Sequence, residues 1–317
     1  MNEISQDLEL VNDTLRTKYW SWVFYDPQSS PLTLLDALKA GLPHVDHASW
    51  NERLDFGGAY INGRAALMDQ PLPYPCKIEY YEPKFEIAGA SQIFPEFKEE
   101  YVIFRDEHIL VAYKPPGLSS MPAKEQRHFS MKTYLERFTG SIIHMPSRLD
   151  VSTQGLLITS ISSKAHAKLQ QAFEHRLVKK EYLCATHIKP TWSNLSVNLP
   201  IGRAKEHSVL RVIDHKDGQA AQTELSVLGS SNTSKSPIYV LSAKPLTGRT
   251  HQIRVHTATS GVPILGDKFY GGAPATSLHL VSFAVACLHP VTGKQIKFTL
   301  PKSLQPSWFT LKTAQAP

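Results

Sequence analysis

The sequence predicts an α+β protein built around a mixed sheet, and three observations carry that expectation. Segments of alternating character, as in Glu181 to Thr186, recur along the chain and read as strands. Apolar residues at helical spacing mark helices between them: Met131, Tyr134, Leu135 and Phe138, then Ala165, Leu169, Ala172 and Phe173. The two element types do not alternate strictly, which speaks against a doubly wound parallel sheet. With 317 residues, 42% of them hydrophobic, the chain can form two domains, or one large domain with an appendage, around a packed core.

Residues 1–30 are polar and mixed, with Trp20, Trp22, Phe24 and Tyr25 close together. They read as an N-terminal arm with an aromatic anchor, or with a short strand over Trp20 to Tyr25. Residues 31–82 read as a small module. Leu34, Leu35 and Leu38 give a helix that Gly41 and Pro43 end, and Trp50 to Leu54 suggests a second, short one. Ala59 to Ile61 and Lys77 to Tyr81 read as strands, and Asn62-Gly63 signals a hairpin because both residues tolerate positive φ. A linker containing Pro and Glu occupies residues 83–99. The larger domain, residues 100–317, opens with strands at Tyr101 to Phe104 and Ile109 to Tyr113 around a turn at residues 105–108. The helix through Met131 has Ser130 as its cap and Gly140 as its stop. Strands follow at Leu156 to Thr159, Glu181 to Thr186, Gln222 to Val227, Tyr239 to Ala243, Leu280 to Ala286 and Gln295 to Phe298.

The net charge of +6 and pI near 9.0 give a mild bias toward polyanions. Lys179-Lys180, the segment from Arg203 to Arg211, and Arg249 with Arg254 are the candidate phosphate contacts. The three cysteines, Cys76, Cys184 and Cys287, are far apart and lack zinc-type spacing, so buried thiols in a reducing compartment are expected. No apolar run nears 18 residues and no charged-then-apolar leader opens the chain, so a cytoplasmic protein without a membrane span is expected. A monomer is the default.

One loop concentrates the chemistry. Pro146-Ser147-Arg148-Leu149-Asp150 leads through Thr153, Gln154 and Gly155 into the apolar run Leu156-Leu157-Ile158. With Ile142-Ile143 before it, the carboxylate lies in a loop between two apolar runs, a setting where chemistry is usually placed. In an extended loop Arg148 and Asp150 share one face while Leu149 points inward.

Arg148-Leu149-Asp150, with Thr153, Gly155 and the apolar strand after it, resembles the catalytic motif of the RluA-type pseudouridine synthases. Ser147 stands where the family pattern has His, and Gln154 where it has Ser. Three further blocks resemble the same family in the same order: Ile109 to Gly117, ending in Lys114-Pro115-Pro116-Gly117; Val178 to Ala185; and Leu246 to His256, followed by Gly261 to Asp267 and Tyr270-Gly271. Leu278-His279, His289-Pro290 and Gly293 complete a resemblance that spans roughly residues 100 to 302. It implies the pseudouridine synthase fold, a long, bent, largely antiparallel sheet with helices outside and a central cleft. Residues 31–82 also resemble, in degenerate form, the small RNA-binding module named after a ribosomal protein.

The reaction so implied breaks an N-glycosidic bond, turns the uracil and rejoins it through carbon. It needs a carboxylate, a cation beside it, a ring to hold the base and exclusion of water; no metal or redox cofactor is expected. Asp150 is the candidate carboxylate. It acts at the anomeric carbon or helps form a glycal, and for either role it must be ionised while desolvated, which calls for a nearby cation. Arg254 is the best candidate, placed in the first turn of a helix that Thr250 can cap. Arg249 is the runner-up and better suited to phosphate. The resemblance implies that Tyr182 is catalytic, stacking on the uracil with its hydroxyl, or a water it holds, as the route for the last proton, and that Arg148 fills the gap left by a flipped base. Lys114 is structural or phosphate-facing. His251 and His256 resemble scaffold positions. The expected partner is ribosomal RNA, slightly ahead of transfer RNA. An RNA-binding assembly protein without catalysis and a hydrolase using Asp150 as nucleophile are the competing readings.

Overall fold

The structure is a computed structural model that describes residues 18–28, 30–43, 45–56, 59–62, 64–66, 68–82, 97–122, 130–205, 209–231 and 237–309. Gly63, most of the expected linker and residues 206–208 of the basic segment lie outside these. The chain divides into two compact units, one within Met1–Glu96 and Met121–Thr139, the other within Phe97–Ser120 and Gly140–Pro317.

In the first unit, β1 (Lys18–Phe24), β2 (Ala59–Ile61), β3 (Arg64–Ala66) and β4 (Cys76–Glu82) form an antiparallel sheet in the order β1-β4-β2-β3. The strand alternative for the aromatic segment is the one the chain adopts, and it adds an edge to the module that the sequence reading started at residue 31. Helix α1 (Leu34–Gly41) is capped by the Thr33 side chain, which accepts from Asp36 N–H. It packs with α2 (Trp50–Phe56) on a core of Leu34, Leu38, Trp50, Leu54 and Ile78. Asn62 takes the positive φ that the hairpin signal implied, at 49°. Helix α3 (Met131–Thr139) starts after Ser130, whose Oγ accepts from Thr133 N–H at 3.1 Å, and stops at Gly140 with φ 64°.

The second unit is built on a long mixed sheet. Its path is β5 (Val102–Arg105), β6 (Ile109–Lys114), β7 (Gln154–Ser160), β14 (Leu280–Leu288), β8 (Lys179–Thr186), β13 (Ile238–Pro245), β12 (Gln222–Ser231) and β9 (Asn194–Asn198), with β15 (Gln295–Thr299) on β14. Only the β7–β14 pairing is parallel. A separate hairpin joins β10 (Ile201–Arg203) to β11 (Arg211–Ile213). Alternation along β8 sends Leu183 and Ala185 into one core with Ala165 and Leu169 of α4 (Ser163–Glu174). Tyr182 and Cys184 go to the opposite core with Ile253 of α5 (Gln252–Thr259). All three cysteines are buried free thiols.

Register places the functional row. Lys114 pairs with Gly155, Gly155 with Ser282, Ser282 with Tyr182, and Tyr182 with Ala243. Directly paired residues share a face, so one line across five strands carries Lys114 and Tyr182 together. Gly155 is required there: its φ is 116°, and an added Cβ would lie 2.3 Å from the Ser282 carbonyl oxygen. β7 flanks the start of β14 and β15 flanks its end, and the loop entering β7 carries Asp150.

Candidate active site

The Asp150 loop is pinned on both sides of its carboxylate. Leu149 N–H donates to Ser120 Oγ at 2.9 Å, and the Ser120 hydroxyl lies 2.8 Å from the Leu149 carbonyl. The Val151 carbonyl accepts from Gly117 N–H at 2.9 Å and from Lys114 Nζ at 3.1 Å. Thr153 N–H closes the turn on the Asp150 carbonyl at 3.0 Å. Leu149 is buried, Arg148 exposed and Asp150 half-buried, the arrangement an extended Arg-Leu-Asp stretch dictates. Gln154, one of the two departures from the family pattern, is buried and accepts from the Tyr113 hydroxyl at 2.8 Å.

Lys114 corrects an expectation. It is fully buried, and its ammonium donates to the carbonyls of Pro115, Leu118 and Val151 at 2.9, 2.7 and 3.1 Å. An ammonium has three N–H donors, and all are taken, so no phosphate can be met. Lys114 ties the Lys-Pro-Pro-Gly turn to the Asp150 loop. Burial pushes it down to about 7, and the charge of Asp150 opposes that shift.

Arg254 lies in the first turn of α5, but the helix begins later than the sequence suggests. Thr250 is exposed, and the cap is His251, in the left-handed region at φ 57°. Gln252 closes the turn instead, its Oε1 accepting from Arg249 N–H at 3.0 Å and from Thr247 Oγ1 at 2.6 Å. The principal partner of Arg254 is Asp267, a residue the sequence reading gave no role. Nε and Nη2 donate to its two carboxylate oxygens, each at 2.7 Å, and both side chains are buried. The remaining nitrogen, Nη1, faces Asp150 Oδ2 at 3.7 Å. Phe269 and Tyr270 lie against the guanidinium, with ring centroids 5.4 and 5.1 Å from its carbon. Burial opposes the charge on Arg254, but the Asp267 hydrogen bonds and charge outweigh it and raise its pKa. The site therefore holds a fixed cation.

Tyr182 is half-buried on the α5 side of the sheet. Burial pushes its phenol up to about 12, a hydrogen bond with Ser282 works against that, and the Asp150 charge adds to it. The hydroxyl therefore stays protonated at neutral pH. His251 Nε2 also faces Asp150 Oδ2, at 3.9 Å. His256 is fully buried between Thr223 Oγ1 and the Leu199 carbonyl, at 2.9 and 3.0 Å, and is scaffold.

The other expected contacts lie around this centre. Among the described residues, Arg148 has no hydrogen bond or ion pair. Lys179 is exposed. Lys180 lies over the Phe173 ring with its pKa lowered by burial. Arg249 Nε donates to the Ala220 carbonyl at 3.2 Å. None of the four forms an ion pair with Asp150. Among the described residues no group of three His, Cys, Asp or Glu side chains is set to hold a metal ion, and no helix is long and apolar enough to cross a membrane.

The chain is similar to known proteins. A family model described as RNA pseudouridylate synthase matches residues 108–259. The dual-specificity RNA pseudouridine synthase RluA of Salmonella typhimurium is 32% identical over 209 residues, covering 63% of this chain and 92% of that protein. The RNA pseudouridine synthase YhcT of Bacillus subtilis is 31% identical over 223 residues, covering 68% and 72%. Among solved structures, human RNA pseudouridylate synthase domain containing 1 has a TM-score of 0.56 at 25% identity, covering 68% of this chain and 89% of that one. Fold and relatives together define an isomerase that acts on RNA. The chain belongs to the RluA-type RNA pseudouridine synthases. The match to the family model starts at residue 108, beyond the N-terminal module.

Proposed function

We propose that this chain isomerises specific uridines in structured RNA, with Asp150 as the catalytic carboxylate and the target base flipped from its stack. The observation that carries the proposal is the meeting of Asp150 with Arg254, 3.7 Å away, beside Tyr182. The glycosidic bond from N1 to C1′ breaks, the uracil turns, the bond from C5 to C1′ forms, and the proton on C5 leaves. Direct attack at C1′ and glycal formation both start from Asp150, with Arg254 supplying the opposing charge. Tyr182 stacks on the uracil as a neutral phenol. The last proton passes to water or to the carboxylate, because a phenol pushed up to about 12 keeps its own proton at neutral pH and offers no phenolate to take another. Arg148, exposed at the mouth of the loop, fills the space the base leaves, since extrusion costs roughly a few kcal/mol.

Large-subunit ribosomal RNA is the first target in this proposal and transfer RNA the second; the similar RluA bears the name dual-specificity. Lys179, Lys180 and Arg249 meet phosphates, residues 31–82 bind the same RNA, residues 100–317 carry catalysis, and the protein works as a cytoplasmic monomer. The test is direct. Uridine-labelled cellular RNA is incubated with the protein and digested to nucleosides. Pseudouridine supports the proposal, free uracil replaces it with a hydrolase, and unchanged uridine leaves an RNA-binding protein.

A further inference from the structure

We infer that Tyr270 and His251 form a positioning pair that fixes Oδ2 of Asp150 and leaves Oδ1 to meet the sugar; this rests on the reading of Asp150 as the reacting carboxylate. The argument starts from one donor whose direction is certain. The backbone N–H of Arg211, on β11, meets the Tyr270 hydroxyl at 3.1 Å. An N–H can only donate, so the Tyr270 oxygen accepts. We assign its proton to His251 Nδ1, 2.7 Å away, the one other partner of this hydroxyl among the described residues. A neutral imidazole that accepts at Nδ1 carries its proton on Nε2. Nε2 is the nitrogen facing Asp150 Oδ2 at 3.9 Å, the same oxygen that Arg254 Nη1 approaches at 3.7 Å. Two donors thus converge on one oxygen. Oδ1 has no partner among the described residues.

The surroundings hold this arrangement. His251 is buried and adopts φ 57°, ψ 16°, a backbone region uncommon for a residue other than glycine. Its ring stacks on Phe269 at 22°. The ring of Tyr270 lies against the Arg254 guanidinium at 5.1 Å, so one residue steadies both donors, by its face and by its hydroxyl. Burial, joined by Arg254 and Arg211 and opposed by Asp150 and Asp267, lowers the imidazole pKa, which keeps it neutral at pH 7. Both gaps exceed hydrogen-bond length; they shorten when substrate fills the site, as catalytic contacts commonly do. Because the pair is anchored on β11, the placement of the β10–β11 hairpin reaches the carboxylate through two side chains.

The experiment compares single-turnover pseudouridine formation on total RNA from cells lacking the protein. His251→Asn tolerates the left-handed backbone but lacks a donor at the Nε2 position; His251→Gln supplies one. Tyr270→Phe keeps the ring under Arg254 and removes only the hydroxyl. We expect His251→Asn to be slower by about tenfold or more, the worth of about one hydrogen bond. RNA affinity should stay within about threefold, since phosphate contacts dominate it. His251→Gln should recover most of the rate, and Tyr270→Phe should be slowed at unchanged affinity. A His251→Asn rate equal to wild type, a His251→Gln no better than His251→Asn, or a loss confined to affinity overturns the pair. If His251→Asn does not fold, the rates of His251→Gln and Tyr270→Phe decide. An inactive Asp150→Asn beside an unaffected His251→Asn rejects the pair alone, whereas an active Asp150→Asn rejects the reading it rests on.

Discussion

Asp267→Asn probes how the site holds its cation. The wild-type carboxylate receives two hydrogen bonds of 2.7 Å from Arg254 and a third from Phe269 N–H at 3.1 Å, all in a buried setting. Removing one partner of a buried ion pair costs about 3–5 kcal/mol. Asn keeps one acceptor oxygen, which saves one charge-assisted bond of about 1.5–3 kcal/mol, but it turns an NH2 toward the other guanidinium N–H. The expected net loss is about 2 kcal/mol. The guanidinium then has one anion left nearby, Asp150 at 3.7 Å, and closes on it, moving the carboxylate from its working position. Urea unfolding measures the first effect and single-turnover pseudouridine formation the second, where a fall of about tenfold or more is expected. A stability change below about 0.5 kcal/mol with an unchanged rate is what a surface position would give, and would show that Asp267 does not hold Arg254.

Three further outcomes follow from the geometry. Ser120→Ala strips Leu149 of both contacts to the hydroxyl and should cost about 2–4 kcal/mol in urea unfolding, with a slower rate and little change in RNA affinity; a loss of affinity at full rate would contradict the pinning role. Lys114→Met should change the pH dependence of stability. The folded lysine titrates near 7 and the unfolded one near 10.5, so between those values the unfolded chain binds more protons, and wild-type stability gains up to about 1.4 kcal/mol per pH unit. The variant should lack that rise, and parallel curves for the two proteins would contradict the buried titration. Tyr182→Phe should leave the shape of the pH–rate profile unchanged from pH 6 to 9, because a phenol pushed up to about 12 does not ionise there. A unit-slope rise that the variant abolishes would make the phenolate the base.

Much of both units was legible because local and long-range signals agree. The helix after Ser130 and the strand after Asp150 follow from period and capping residues, and the Arg-Leu-Asp alternation puts Leu149 inside. Asp267 was missed for want of a local pattern: its partner is 13 residues away across a loop. A signal did exist. Asp267 is the only acidic residue after Glu224 in the chain, and a buried Arg254 needs a carboxylate. Ser120 carried no such mark, and Tyr270 stood in a family-like block without a role, because both roles are set by where the chain folds back. Lys114 stays open between its two readings for a similar reason. A lysine next to Pro-Pro-Gly reads equally well as a surface charge until the three carbonyls that surround it are known. The αL cap at His251 defeated the assignment to Thr250, because tertiary contacts with Tyr270 and Phe269 hold a conformation that propensity disfavours.

The central claim is that one carboxylate beside a fixed guanidinium carries the isomerisation, and pseudouridine formation in RNA by Asp150→Asn tests it most directly. Asn keeps the size of the side chain and removes its charge. The expected result is no product above background, with RNA binding within about tenfold of wild type because phosphate contacts dominate affinity. Pseudouridine formation at the wild-type rate would contradict it.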